Sequence, residues 1–182
     1  MLRRRAIICN LTAACLVSMS AGCFSPAGQA ADTDTGEPEA ALCAMTEDAE
    51  TLEDQALQLV NIERTVSEEG LAPVTLDPTL SKIAADYACL MIEDGFFGHE
   101  DPITGHGPGE RAVAGKYSYY SVGENLARGP TTAAEVVQLW MESPAHRAII
   151  LDPKWTEVGI AVRIDCDEGF YWVQEFGDPA PY

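Results

Sequence analysis

Apolar residues recur at helical spacing in the first half of the folded part of the chain. From Leu52 to Glu69 they occupy positions 52, 56, 59, 60 and 66, and Gly70 follows as a residue suited to a helix C-terminus. A second apolar stripe starts after Asp77 and Pro78, which suit an N-cap and a first helical position, and it ends near Gly95. The pattern therefore predicts two successive amphipathic helices.

Two more helices are predicted after residue 130. Thr132 can cap the first of them while Glu135 reaches back to the cap, and Val136, Val137, Trp140 and Met141 form its apolar face. That helix ends at Ser143 and Pro144. The same two residues suit the start of a short fourth helix, which places His146 in its first turn.

The period of the apolar positions changes to two near the end of the chain. Val158, Ile160 and Val162 alternate with smaller or polar residues, and "FYWVQEF" follows after the hairpin-type loop "DCDEG". A third strand is predicted over residues 120–127, "YSVGENLA". The fold class is therefore α+β, with helices covering a small antiparallel sheet of about three strands.

The N-terminal segment has the pattern of an export signal. Residues 1–22 contain three arginines, then a mostly apolar run that is too short to span a membrane, then small residues. "SAGC" resembles a bacterial lipobox, which makes Cys23 a candidate for acylation, although cleavage near Ala30 is an alternative. We expect a signal peptide over 1–22, an acidic tether over 23–50 and one folded domain over 51–182.

Charge restricts the possible partners. The chain has a net charge of −18, and removal of residues 1–22, which contain three arginines and no acid, lowers this to −21. Nucleic acid and anionic lipid head groups would repel such a protein, so membrane contact is expected only through a lipid anchor. We expect a monomer that is either secreted or anchored in the cell envelope as a lipoprotein.

Three cysteines remain beyond residue 23. Cys43, Cys89 and Cys166 would meet an oxidising environment after export, so we expect one disulfide among them. Their spacing does not select the pair. It does not match a zinc site either.

Five motifs occur in an order that identifies a family resemblance. They are "LVNIERTVSEEGLAPVTLDPTLSKIA", "FFGHEDP", "VGENLA", "WMESPAHRAII" and "WTEVGIAV". The chain resembles bacterial members of the CAP superfamily, the SCP-like extracellular proteins, and the resemblance implies an α-β-α sandwich. It also implies a cleft lined by two histidines and two acids, here His99, His146 and Glu124. Glu142 lies one residue from the usual position of the second acid, as a possible displaced substitute.

The residue chemistry is consistent with a metal site. His146 at a helix N-terminus would remain neutral, and two neutral imidazoles with one carboxylate are ligands that Zn²⁺ commonly takes. His106 lies in "PITGHGPGE", matches none of the motifs and is interpreted as a loop residue. We interpret Ser143 as a helix cap rather than a nucleophile because its hydroxyl would bind backbone amides.

Two functions are compatible with these residues. The favoured interpretation is a non-catalytic extracellular module whose cleft holds a divalent metal, with zinc as the expected ion. The module would recognise a lipid, a peptide or a cell-wall component. The alternative is a metal-dependent, peptidase-like hydrolase in which Glu124 acts as general base on a water bound to zinc. Enzymatic activity is left open, and the absence of an H-E-x-x-H helix weighs against it.

Overall fold

The computed structural model describes residue 43 and residues 48–68, 70–165 and 169–181. The predicted signal peptide, the candidate lipidation residue Cys23 and most of the predicted tether lie outside the described residues. Cys166 also lies outside them.

Helices and strands follow one another along the described part of the chain. They are α1 (Ala49–Val66), β1 (Thr75–Leu76), α2 (Pro78–Asp94), α3 (Pro108–Ala114), β2 (Tyr119–Arg128), α4 (Ala133–Glu142), α5 (Pro144–Ile150), β3 (Glu157–Asp165) and β4 (Gly169–Pro179). The four predicted helices and three predicted strands are all present. The sequence analysis did not identify β1, whose two residues show no period, or α3, whose start signals Pro108 and Glu110 lie outside any apolar stripe.

The strands form one sheet in the order β1-β3-β4-β2. β4 pairs antiparallel with both β3 and β2, which confirms the predicted sheet, and β2 lies at one edge. β1 adds a short parallel pairing to β3, so the complete sheet has one more strand than predicted and is not purely antiparallel.

Alternation along the strands separates two apolar layers. Val158, Ile160, Val162, Trp172 and Phe176 lie in the layer that also contains residues of α1, α4 and α5. Leu126, Ala161, Tyr171 and Val173 lie in the other layer, with residues of α2. Successive strand side chains point to opposite faces, so the sheet is covered on both sides. The architecture is the α-β-α sandwich that the sequence predicted.

Local signals fix the ends of α2. The Asp77 side chain accepts a hydrogen bond from the Leu80 amide at 2.8 Å, and Gly95 ends the helix with φ +68°. The helix also packs very closely on β3, since a Cβ atom at Gly159 would lie 2.1 Å from the backbone of Leu80. A side chain at position 159 would therefore force α2 away from the sheet.

Two predicted helix ends differ in detail from the structure. α1 ends at Val66 rather than Glu69, and the Gly70 amide donates to the carbonyl of Ser67, the first residue after the helix. α5 begins at Pro144 after Ser143, as predicted, but none of the described first-turn amides bonds to the Ser143 hydroxyl. The capping role expected for that hydroxyl is therefore wrong.

A disulfide joins Cys43 to Cys89 on α2, across 46 residues. This confirms the predicted disulfide and selects the pair that the sequence left open. Closing a loop of this size restricts the unfolded chain and stabilises a protein by about 3–4 kcal/mol. The bond ties Cys43, which precedes α1 in the chain, to α2.

The buried side chain of Arg64 links α1 to the segment that precedes β3 through hydrogen bonds. Arg64 is completely buried and donates hydrogen bonds only to main-chain carbonyls among the described residues, those of Ala72, Ile150, Asp152 and Trp155. Its guanidinium therefore satisfies carbonyl groups that a helix end and a loop leave unpaired.

Candidate functional site

The edge strand β2 connects the two predicted site histidines. Glu124 and Asn125 are consecutive, so their side chains point to opposite faces of the sheet. On one face the Glu124 Oε1 atom lies 2.7 Å from His99 Nδ1. On the other face Asn125 Nδ2 donates to the His146 carbonyl at 3.3 Å. The ring of His99 and the backbone of His146 therefore contact consecutive residues of β2 on opposite faces of the sheet.

His99 has a partly exposed ring attached to a buried carboxylate. Its side chain retains 53% of its accessible surface, whereas that of Glu124 retains 1%. The hydrogen bond from Glu124 raises the pKa of His99 above its usual value, against a smaller opposing effect of burial. Nδ1 bonds to the carboxylate, so Nε2 is the nitrogen free to face a ligand.

Arg111 engages the second oxygen of the same carboxylate. Its Nη2 atom donates to Glu124 Oε2 and also to Glu175 Oε1 at 3.3 Å. Both oxygens of Glu124 therefore already accept hydrogen bonds, one from His99 and one from Arg111. Sequence reasoning missed Arg111 because it lies on α3, which was not predicted, and outside the recognised motifs.

Arg111 also fixes the backbone of the loop that carries His99. Its Nη1 atom donates to the carbonyls of His99 at 3.0 Å and His106 at 3.3 Å. The guanidinium carbon lies 3.4 Å from the ring centroid of Tyr87, whose hydroxyl donates to the Gly98 carbonyl. Burial raises the pKa of Tyr87 to about 12, so the phenol remains a neutral donor.

Glu175 is a second acid in the site that the sequence analysis did not identify. It pairs with Glu124 across β2 and β4, and it is buried. Burial, followed by the charge of Glu124, raises the pKa of Glu175 well above its usual value. A neutral Glu175 can share its proton with the Glu124 carboxylate. The sequence signal that could have identified Glu175 was an acidic residue at an inward-facing position of the apolar strand "FYWVQEF".

His146 has the neutral character that the sequence predicted, for a different main reason. Burial lowers the pKa of His146, and the nearby charge of His99 lowers it further. Its Nδ1 atom is buried and has no hydrogen-bond partner among the described residues. The expected influence of the helix N-terminus is not needed to account for a neutral ring.

The remaining candidates lie apart from the two imidazoles. Glu142 is the exposed last residue of α4, and its Oε1 atom accepts a hydrogen bond from Gln138 at 2.8 Å. The structure shows no contact between Glu142 and a described histidine. His106 lies in the loop before α3, as expected, and contributes its backbone carbonyl to Arg111.

The arrangement offers two nitrogen donors rather than three ligands. Within residues 43, 48–68, 70–165 and 169–181, no group of three His, Cys, Asp or Glu side chains is placed to hold a metal ion. Glu124 contacts His99 from behind, as the carboxylate partners of metal-binding histidines do. The predicted zinc site at His99, His146 and Glu124 stays a prediction.

Comparison with known proteins identifies the family. The model of CAP, the cysteine-rich secretory protein family, matches residues 57–176. The chain belongs to this family. The CAP match includes β2, both site histidines, Arg111 and Glu175. In the part of the chain that the structure describes, none of the helices is both long and apolar enough to cross a bilayer.

Two curated relatives of this chain come from Bacillus subtilis (strain 168). YkwD is 36% identical over 124 residues, which cover 68% of this chain and 46% of YkwD. The membrane protein YlbC is 28% identical over 126 residues, which cover 69% of this chain and 34% of YlbC. The chain thus spans less than half the length of these relatives.

Solved structures support the same fold. An extracellular protein with an SCP domain from Bacillus anthracis (strain Ames) superposes with a TM-score of 0.64 at 25% identity, over 74% of this chain and 44% of that one. An outer surface protein from Borrelia burgdorferi superposes with a TM-score of 0.65 at 22% identity, over 76% and 98%. The second likeness concerns the fold alone.

Proposed function

We propose that this CAP-family protein is an exported, non-catalytic module that recognises an extracellular ligand in the cleft at the β2 edge. The signal-like residues 1–22 support export. The structural relatives include a protein described as extracellular and one described as an outer surface protein. A lipid, a peptide or a cell-wall component is the expected class of ligand.

The observation that carries the non-catalytic assignment is the environment of Glu124. This carboxylate is buried, and its two oxygens accept hydrogen bonds from His99 and Arg111. A general base must reach the water or proton on which it acts, whereas the Glu124 side chain has only 1% of its surface accessible and is poorly placed to meet a water in the cleft. Glu124 instead holds the His99 ring in place, and His99 presents its exposed edge to a ligand.

Activity measurements test this assignment directly. The purified exported protein is screened against panels of peptidase and esterase substrates, with and without added zinc, beside a Glu124→Gln variant. We expect no turnover above that of the variant. Turnover in the wild type that disappears in Glu124→Gln would support the metal-dependent hydrolase instead.

We further propose that the cleft holds a divalent metal ion, most suitably zinc, through the imidazoles of His99 and His146. The low pKa of His146 and the attachment of His99 Nδ1 to Glu124 both suit nitrogen donors. Bound there, the ion would supply a Lewis-acidic contact for an oxygen of the ligand. Two protein donors make a weak site, and water would complete the coordination.

Calorimetric zinc titration tests the metal proposal. His99→Ala and His146→Ala should each weaken binding by about tenfold or more, roughly 1.4 kcal/mol. The third histidine provides the matched control, since His106→Ala should change little. Affinity should fall as the pH is lowered and protons compete for imidazole, and the fall should begin at a higher pH than for a free imidazole because the hydrogen bond to Glu124 raises the pKa of His99. If both site variants bind zinc like the wild type, the cleft is not a metal site.

The mode of attachment is a separate proposal. We propose that Cys23 is acylated after cleavage of residues 1–22, because "SAGC" follows a positively charged and apolar segment. Intact mass spectrometry of protein from its native membrane should show the added lipid. A soluble, unmodified form that begins near Ala31 would contradict this proposal.

A further inference from the structure

A cavity of about 410 Å³ lies between α2 and the C-terminal end of α3. Arg111 lines it, but neither site histidine does, so it is distinct from the cleft at the β2 edge. Its volume is within the range of pockets that take small organic molecules. Nothing in the proposed function accounts for this cavity.

Basic residues outnumber acidic residues around the cavity, whereas acidic residues outnumber basic residues in the chain as a whole. Eight basic and 29 acidic residues lie beyond residue 22. Three of those eight, Lys82, Arg111 and Lys116, line the cavity, against one acid, Asp86. The cavity is therefore lined mainly by basic residues, although the chain has a net charge of −18. Such a local field attracts anions that the rest of the surface repels.

One wall of the cavity is rigid and partly apolar. The Arg111 guanidinium lies against the Tyr87 ring at 3.4 Å, and Ile83 contributes aliphatic surface beside them. The Arg111 Nε atom is buried without a hydrogen-bond partner among the described residues. Because Glu124 already neutralises the Arg111 charge, this wall suits the organic body of a ligand rather than a second anion.

The other charged side chains that line the cavity, Lys82, Asp86 and Lys116, lie at its rim. Lys82 and Asp86 form an exposed ion pair at 2.6 Å. Lys116 is exposed, forms no ion pair with any described residue and has a φ of +64°. Lysine disfavours that left-handed backbone, which glycine or asparagine would adopt more readily. Two ammonium groups and one carboxylate leave a single net positive charge at the rim.

We propose that this cavity binds a small organic carboxylate. The carboxylate would lie between Lys82 and Lys116, and its apolar body would pack on Ile83 and the Tyr87–Arg111 stack. A single negative charge matches the rim, whereas a phosphate dianion would be repelled by Asp86 and would leave the apolar wall uncovered. This site goes beyond the proposed function and does not depend on it.

Titration of the full chain with matched probes tests the ligand class. The probes are N-acetyl-phenylalanine, its neutral amide and inorganic phosphate, and binding is followed by calorimetry at low salt. The carboxylate should bind at least about fivefold more tightly than either of the other two, and added salt should weaken it. Equal binding of the amide, or tighter binding of phosphate, would overturn the proposal.

Charge variants at the rim give effects of opposite sign. Lys82→Gln and Lys116→Gln should each weaken binding of the carboxylate by about threefold, whereas Asp86→Asn should strengthen it by a similar factor. Lys154→Gln is the matched control, because Lys154 also pairs with an aspartate, at 2.9 Å, but does not line the cavity.

Two results would place the probe elsewhere and contradict the proposal. An Asp86→Asn variant that binds more weakly would show that the carboxylate does not lie beside that residue. Binding that is lost in His99→Ala and unchanged in Lys116→Gln would assign the probe to the cleft.

Discussion

Arg64 and Arg111 are both largely enclosed by the protein, but their guanidinium groups have different partners. Arg64 is fully buried and donates to four carbonyls on the α1 side of the sheet. Arg111 retains 11% of its side-chain surface and donates to Glu124 and Glu175 on the other side. The first arginine joins backbone segments, and the second organises ionisable groups.

The difference shows how one residue type serves structure in one place and a site in another. Carbonyl groups do not titrate, and, despite partial burial, contacts with Lys154 lower the pKa of the neighbouring Asp152, so the contacts of Arg64 stay the same between pH 5 and pH 8. The partners of Arg111 include two facing carboxyl groups, one of which burial favours in its neutral form. The effect of substituting Arg111 on the free energy of unfolding should therefore depend on pH, and the effect of substituting Arg64 should not.

The largest effect is expected from Arg64→Met. This substitution keeps the aliphatic volume but leaves several carbonyls of the α1 and pre-β3 segments without a donor. We expect a loss of about 3 kcal/mol or more in the free energy of unfolding, measured by urea denaturation. The loss should be the same at pH 5 and pH 8. A strong pH dependence would remove the contrast with Arg111.

Arg111→Met should cost less, about 2–3 kcal/mol at pH 8, and should cost still less at pH 5. Without the guanidinium, Glu124 and Glu175 face each other with no arginine between them, which raises the pKa of Glu175 further. Protonation at low pH relieves that repulsion. Urea denaturation at the two pH values measures the difference. Equal losses would show that Arg111 acts only by packing on Tyr87.

The smallest change in the free energy of unfolding is expected from Glu175→Gln, and this change should be stabilising rather than destabilising. A raised pKa in the folded state means that the stability contributed by this group is complete below its unfolded pKa of about 4.3 and is lost as pH rises. Glutamine avoids that loss and can still donate to Glu124. The variant should therefore be more stable than wild type at pH 7 by roughly 1 kcal/mol, with no difference near pH 4.

Glu124→Gln is the matched control for that variant. It exchanges the same side chain on the neighbouring strand, but it removes the carboxylate that accepts from both His99 and Arg111. It should destabilise the protein at pH 7. If both glutamine variants change stability in the same direction, the burial of Glu175 and the hydrogen bonds of Glu124 do not have the opposite effects on stability inferred for them.

Much of the fold could be predicted because its signals are local. Asp77, Pro78 and Gly95 define α2, and Thr132 with Glu135 defines the start of α4 through hydrogen bonds that span three residues. β1 carries no such signal, and its two residues are ordered by pairing with β3. α3 does carry local signals, Pro108 at its first position and Glu110 bonded back to the Gly107 amide, but its seven residues are too short to show an apolar period.

The sequence by itself determined the order of four helices and three strands and, through the family resemblance, the two-sided cover of the sheet and the choice of His99, Glu124 and His146 as site candidates. Only the tertiary structure decided that Arg111 and Glu175 complete this group, since their contact spans 64 residues. It also decided that burial and the neighbouring Glu124 charge raise the pKa of Glu175. These two properties depend on how distant segments pack, and no short stretch of sequence contains that information.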